Sequence, residues 1–334
     1  MSGGTLRTER IETLSALSAL ETQWWRLWAV SPGSTPFQSP AWLVPWWRHF
    51  QPGPLVAAGV FSGEHLVGLG LFFYEDGAYG RRLLPVGIGI SDHLDILLDP
   101  SVPGVGEALL AFFSQQPDWE VLELEDLAPG AAAFGLSCPS GWTETGEPQI
   151  ACPGLSMSGA VNEEGLPTEI PRKRRQQFRR NLKLADARGG STIETADAAS
   201  FLDQLVVLHD ARWQSKNEDG VMADRRVIAF QGEAMQALEP AGLARFFVIR
   251  IGGELAAAYY GFRWRDRAGF YLSGFDPRFA QESPLGILIG HALRDAVGSG
   301  ATDFSFLRGQ EHYKYLWGAA DRWNMRRSFR RLVR

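Results

Sequence analysis

Residues 273–318 constrain this chain more than any other stretch. They read Ser273-Gly-Phe-Asp-Pro, then Ser283-Pro-Leu-Gly opening an apolar helix, then Phe304-Ser-Phe-Leu-Arg-Gly, then Glu311-His-Tyr-Lys-Tyr-Leu-Trp-Gly. Strand, irregular loop, helix start, strand and polar turn in that order make a βαβ unit. Such a unit presents unpaired backbone amides at one edge of its sheet and sets polar side chains beside them. An edge of that kind suits an anion, so the stretch points to a phosphate-bearing ligand.

Within it, Ser283 is a competent N-cap and Pro284 takes the first helical position, where a missing N–H costs nothing. Leu285 and Gly286 follow, and the glycine lets another group approach the backbone closely. The first-turn amides and the helix dipole then favour a diphosphate. A well-capped helix with no ligand fits the same residues. Leu307-Arg308-Gly309 stands at the C-terminal end of the strand over 302–306, the sheet edge where ligands gather. Among the next residues, Tyr313 can return a proton to a departing thiolate, and Glu311 or His312 can take one from an incoming amine. Arg308 and Lys314 have the chemistry to clamp phosphate or carboxylate. The alternative is a polar surface turn with Tyr313 and Trp317 packed inward.

A chain of 334 residues exceeds the size at which single cores stop growing, so two domains are expected, divided as 1–160 and 161–334. Both halves read helix, helix, hairpin, strand, helix, strand, which predicts two α/β domains of one topology. In the first half, helices are expected over 11–30 and 39–47, strands over 55–61, 66–74, 92–98 and 119–124, and a helix over 106–113. Residues 128–168, rich in Gly, Pro, Ser and Ala, read as edge strands and a linker. In the second half, helices over 171–188 and 198–213 precede a hairpin of 245–251 and 255–264. A strand over 268–275, a helix over 284–297, and strands over 302–306 and 323–329 follow. Trp24, Trp25, Trp28, Trp42, Trp46 and Trp47 read as core of the first half.

The net charge of -5 argues against a DNA-binding protein. Cys138 and Cys152 are too few for a disulfide framework and form no C-x-x-C pair. Neither a signal peptide nor a membrane-spanning run is visible, which makes a cytoplasmic location the simplest expectation. A dense basic run, Arg172-Lys-Arg-Arg with Arg179, Arg180, Lys183 and Arg188, lies over an inner stripe of Phe178, Leu182 and Ala185. It is a solvated helix face or an anion clamp, with Arg174 a candidate donor contact; nucleic acid is a weaker third reading, since no aromatics are interleaved and the chain is acidic. In the helix over 198–213, His209 and Arg212 flank the buried stripe. Strand alternation at 92–95 sends Asp92 to one side and His93 to the other. Those two provide too few ligands for a metal and suit a polar rim on a cleft between the domains. Asp92, His93, Arg212 and Asp276 are thus the candidate acceptor contacts.

Taken together, several segments resemble the GNAT-type acyltransferases of the CelD-like group, which is related to the Fem aminoacyl transferases. They are the basic residues 174–184 with Asn181-Leu182, Leu208-His-Asp-Ala-Arg-Trp, Gly253-Glu-Leu-Ala-Ala-Ala, Tyr271-Leu-Ser-Gly-Phe-Asp-Pro, and the segments from Ser283 and Phe304 through Lys314. Phe37-Gln-Ser-Pro-Ala-Trp-Leu and Trp46-Trp47 are similar to the same family's N-terminal region. The resemblance implies two tandem GNAT-like domains with mixed sheets. It also implies transfer of an acyl group from acetyl-CoA or another acyl-CoA to an amine or hydroxyl, in polysaccharide or envelope metabolism. The family's diphosphate loop, Gln/Arg-x-x-Gly-x-Gly/Ala, is matched here only by Arg278 and, later, Gly286. On this reading Ser283, Leu285, Gly286, Arg308, Lys314 and Arg174 hold the donor, Tyr313 protonates the thiolate, and Glu311 or His209 assists the nucleophile. The acceptor is a small molecule or a sugar or envelope precursor. Two rivals remain: a Fem-like transferase drawing its aminoacyl group from tRNA, and a non-catalytic protein that kept the fold.

Overall fold

The computed structural model describes residues 5–77, 80–117, 119–214 and 220–332. The chain forms two units, one of residues 1–150 and 322–334 and the other of 151–321. The first runs β1 (Leu6–Ile11), α1 (Leu14–Ala19), α2 (Glu21–Val30), α3 (Pro40–Phe50), β2 (Leu55–Ser62), β3 (His65–Gly77), β4 (Gly80–Pro85), β5 (Leu97–Leu98), α4 (Val105–Gln115), β6 (Val121–Leu127) and β7 (Trp142–Ala151). Its sheet has the order β1-β2-β3-β4-β6, then the chain's last strand, then β7, with β5 beside β3. Val56 and Val60 of β2 and Phe72 of β3 share a core with the stripe Val105, Leu109 and Phe113 of α4. Trp24 and Trp42 are fully buried, as their apolar bulk leads one to expect, and each indole N–H finds an acceptor: Gln38 O at 2.9 Å and Ser91 Oγ at 2.9 Å.

One strand of this unit was not expected, and one expected strand is cut short. The polar segment 6–11 becomes a strand because β2 supplies its ladder, with Arg7 opposite Phe61 and Glu9 opposite Gly59. Conversely, of 92–98 only Leu97–Leu98 is strand. The Asp95 carboxylate fixes an irregular path there by accepting from the amides of Ile96, Ala132 and Ala133 at 2.9, 2.6 and 2.9 Å. Desolvation pushes this carboxyl up to about 7, against the opposing pull of those three amides.

The second unit runs β8 (Gly154–Ser156), α5 (Arg172–Ala187), β9 (Ser191–Thr195), α6 (Ala198–Gln214), α7 (Arg225–Leu238), β10 (Ala244–Ile251), β11 (Glu254–Trp264), β12 (Arg267–Phe275), α8 (Pro284–Gly298), β13 (Asp303–Ser305) and α9 (His312–Leu316). Strand order is β8-β13-β12-β11-β10-β9, with β12 and β13 parallel and the other pairs antiparallel. The two faces alternate as the strand period requires. Phe247, Ile249 and Tyr259 join a core with Phe178 of α5 and Ile287 of α8. Phe246 and Tyr260 turn the other way and pack on Phe201 of α6, with ring centroids 4.8 and 6.4 Å apart. α5 sits tightly on α8: a Cβ on Gly290 would fall 2.2 Å from Cε2 of the buried Phe178 ring.

The division differs from the expected 1–160 and 161–334 at both ends. Within the segment 128–168, β7 is an edge strand of the first sheet and β8, paired with β13, an edge strand of the second, so the boundary falls at the end of β7. The final strand, β14 (Trp323–Arg331), pairs with β6, and its Phe329 is fully buried in the first core. α7 was not expected, although Val227, Phe230, Ala234, Met235 and Leu238 recur at helical spacing and all are buried.

Two outcomes follow for stability. Gly290→Ala forces the new methyl into the Phe178 ring and is expected to cost about 1–3 kcal/mol in urea unfolding, with Phe178→Leu partly restoring the loss. Because the folded state raises the Asp95 carboxyl above its unfolded value near 3.8, it binds a proton that the unfolded chain releases. Its contribution is complete below about pH 4 and is lost as pH rises through about 7. Urea midpoints should therefore fall between about pH 4 and 7, and Asp95→Asn should flatten that slope.

Candidate active site

β12 and β13 part from one another. They pair as Arg267 with Asp303, Ala268 with Phe304 and Gly269 with Ser305, and there β13 ends. β12 continues to Phe275 with β11 on one side only, among the described residues. Leu307 turns the chain away with a φ of 54°, its amide donating to Ser305 Oγ at 3.1 Å. A fork therefore opens at the C-terminal ends of two parallel strands, where α/β sheets take their ligands.

The start of α8 stands at this fork. Ser283 precedes the helix as expected, but in the left-handed region (φ 51°, ψ 59°) and with no side-chain cap bond. Its carbonyl accepts from Ile287 N at 3.1 Å. Pro284 has no N–H, so the amides of Leu285 and Gly286 are left without a backbone acceptor. Gly286 is buried, and a Cβ there would meet Ser283 Oγ at 2.7 Å and the Arg174 Nη2 at 3.1 Å. The absence of a side chain at Gly286 leaves the guanidinium room beside this turn.

Arg174 arrives from α5 with its guanidinium carbon 4.1 Å from the centroid of the Trp317 ring. Desolvation lowers it to about 10, which leaves it cationic at neutral pH. Its Nε is buried and has no hydrogen-bond partner among the described residues. Such a group normally carries a penalty unless something completes it. A cavity of about 280 Å³ lies here, lined by Arg174, Phe275, Ser283, Leu285, Gly286 and Tyr313 among others. Tyr313 meets Phe270 edge-on, with centroids 6.4 Å apart. Two free amides, a positive helix end and a cation with an unspent donor fit a phosphate oxyanion.

Five residues singled out from sequence thus meet in one cavity: Ser283, Leu285, Gly286, Arg174 and Tyr313. The others do not line it. Lys314 is buried and spends its ammonium on the carbonyls of Leu307, Arg308 and Gly309 at 3.2, 2.6 and 2.9 Å, and on Glu311 at 2.9 Å. It holds the turn after β13, and no N–H remains for a phosphate. Arg308 supplies one of those carbonyls. Glu311 is exposed and tied to that ammonium. Asp276 caps the turn Pro277–Phe279 and pairs with Arg278, which holds its carboxyl below the usual carboxylate range. His209 is buried on α6, which crosses β12 so closely that a Cβ on Gly274 would lie 2.4 Å from its backbone N. Gly274 and the cavity-lining Phe275 point to opposite faces, so His209 lies across the sheet from Tyr313. Arg212 is on the same helix, and its side chain lies outside the described residues. Asp92 and His93 are buried in the first unit, where their carbonyls accept from Asn324 and Gln38, each at 2.7 Å. No strand displays them on alternate sides. Trp317 and Phe275 were missed as site residues. An aromatic in an apolar run gives no sign that a guanidinium 143 positions earlier (317 − 174) will stack on it.

Residues 172–315 match the family model described as "Acetyltransferase (GNAT) domain". That match falls wholly within the second unit. The whole chain is similar in fold to FemX, at 11% identity over 96% of each chain with a TM-score of 0.66. It is likewise similar to a conserved protein of unknown function from Bacteroides thetaiotaomicron (11% identity, 98% of this chain and 100% of that one, TM-score 0.62). A third likeness is to L-PGS from Bacillus licheniformis (13% identity, 92% and 90%, TM-score 0.57). At such identities the likeness establishes the fold. A comparison with curated proteins finds no match.

The Lys314 geometry has a measurable consequence. Lys314→Met strands three carbonyls and is expected to destabilise the chain by about 3 kcal/mol in denaturant unfolding. Its effect should appear as a lower unfolding midpoint in the absence of any ligand.

Proposed function

We propose that this protein transfers an acyl group from acetyl-CoA or another acyl-CoA to an amine or hydroxyl of a small molecule or of a sugar or envelope precursor. The reading rests on one observation: the Leu285 and Gly286 amides face the unspent Arg174 donor in a cavity that Tyr313 also lines. The donor's diphosphate would take those amides and the guanidinium, and its acyl-bearing arm would lie in the fork beside Phe275. The acceptor's nitrogen or oxygen attacks the thioester carbonyl, a new C–N or C–O bond forms, and the C–S bond breaks. The Tyr313 phenol gives its proton to the departing sulfur. The acceptor's proton goes to a base, for which Glu311 is the candidate on the same turn as Tyr313. His209, across the sheet, is the poorer one.

Likeness to FemX over 96% of the chain supports reading the first unit as GNAT-like too, in a tandem arrangement. The resemblance of the sequence to CelD-like transferases supports an acceptor of polysaccharide or envelope metabolism. The same likeness favours one rival, a Fem-like transfer of an aminoacyl group from tRNA, for which binding should weaken steeply with salt.

Isothermal titration with acetyl-CoA and with CoA tests the donor assignment. Binding is expected with both, weakened roughly 10- to 100-fold in Arg174→Met. No heat at millimolar ligand would sink the proposal. Tyr313→Phe should leave donor binding intact and lower kcat by about 10²–10⁴.

A further inference from the structure

The first turn of α5 is built against its own electrostatics. Arg172, Lys173, Arg174 and Arg175 stand at the positive end of the helix dipole, where carboxylates are favoured, and the turn contains no acidic residue. Pro171 ahead of it offers no side-chain cap. Farther along, Arg179 pairs with Glu164 at 2.9 Å and, just past the helix, Arg188 pairs with Glu282 at 3.1 Å, while Arg180 and Lys183 have no acidic partner among the described residues. Arg172, Lys173 and Arg175 have no acidic partner among the described residues. Four consecutive cations at the positive end of this helix, one of which enters the cavity, make a charge cluster that favours an anion.

Arg174 points inward to Gly286. Its sequence neighbours cannot share that spot, because adjacent helical residues project about 100° apart. They hold positive charge outside the cavity that Arg174 enters, within one turn, about 5.4 Å, along the helix axis. We propose that Arg172, Lys173 and Arg175 bind a second phosphate of the donor, a phosphomonoester set apart from the diphosphate at Leu285 and Gly286. This inference rests on the donor reading above. A phosphomonoester carries a charge of about −1.5 to −2 at neutral pH and presents three strong acceptor oxygens, which suits clustered Arg and Lys donors. In acyl-CoA the group is the phosphate on the ribose 3′-oxygen. A long RNA backbone suits the surface less well, since Arg179 is already neutralised and the chain's net charge is -5.

Titration of the full chain with CoA and with 3′-dephospho-CoA decides it. Wild type is expected to bind CoA roughly tenfold more tightly. The double variant Lys173→Gln/Arg175→Gln should lose that preference while its affinity for 3′-dephospho-CoA stays unchanged. Lys173→Arg in place of the Gln should restore part of it, which separates charge from folding. Equal affinities in wild type, or a variant that weakens both ligands alike, overturn the inference and leave the donor reading standing. If neither ligand binds wild type, the donor reading fails and takes this with it. Binding of bulk tRNA that the double variant abolishes, with no preference between the two CoA forms, assigns the charges to RNA and also overturns it.

Discussion

The approach of α5 to α8 is the contact on which the site depends. Gly286 and Gly290 lie one turn apart on α8, and each leaves a space where a methyl would clash. Phe178 fills the space at Gly290 and locks the two helices at close range. That distance lets Arg174, one turn earlier on α5, pass over Trp317 and reach the first turn of α8. Were the helices separated by an ordinary side-chain layer, the guanidinium would sit in solvent and the α8 amides would face water alone. Packing and binding chemistry are here one arrangement.

Desolvated polar groups divide into two kinds in this molecule. Asp95 and Lys314 are surrounded by backbone partners that complete them: three amides around one carboxyl, three carbonyls and a carboxylate around one ammonium. Each holds an irregular segment where no ladder of hydrogen bonds runs. Arg174 differs. Its aromatic platform steadies the cation, but Nε has nothing to donate to, and the nearest free backbone groups are themselves donors. A cluster of donors alone is repulsive until an anion enters, which separates a site from a structural network.

The fork between β12 and β13 sets where that anion's remaining atoms lie. Parallel strands share evenly spaced bonds only while both continue, and β13 stops at Ser305 while β12 runs on to Phe275. The turn after β13 stays irregular because Lys314 holds three consecutive carbonyls in place. Opening at the strand ends and amides at the helix start thus arise from neighbouring pieces of one βαβ unit.

Much of this was legible in the residues. Helical periods gave α4, α5, α6 and α8; the Gly252-Gly253 turn gave the β10–β11 hairpin; and Ser283-Pro-Leu-Gly marked the helix whose first turn carries the candidate site. Those features are local, written in propensities and spacings of a few residues. Long-range pairing decided the rest. The segment 6–11 is a strand only because β2 accepts it, and β14 returns to β6 across the entire second unit. Local sequence likewise marked Lys314 and Arg174 alike as free cations. Only the fold surrounds one with carbonyls and leaves the other a donor short, because a charge's role depends on which groups tertiary packing brings within hydrogen-bond distance.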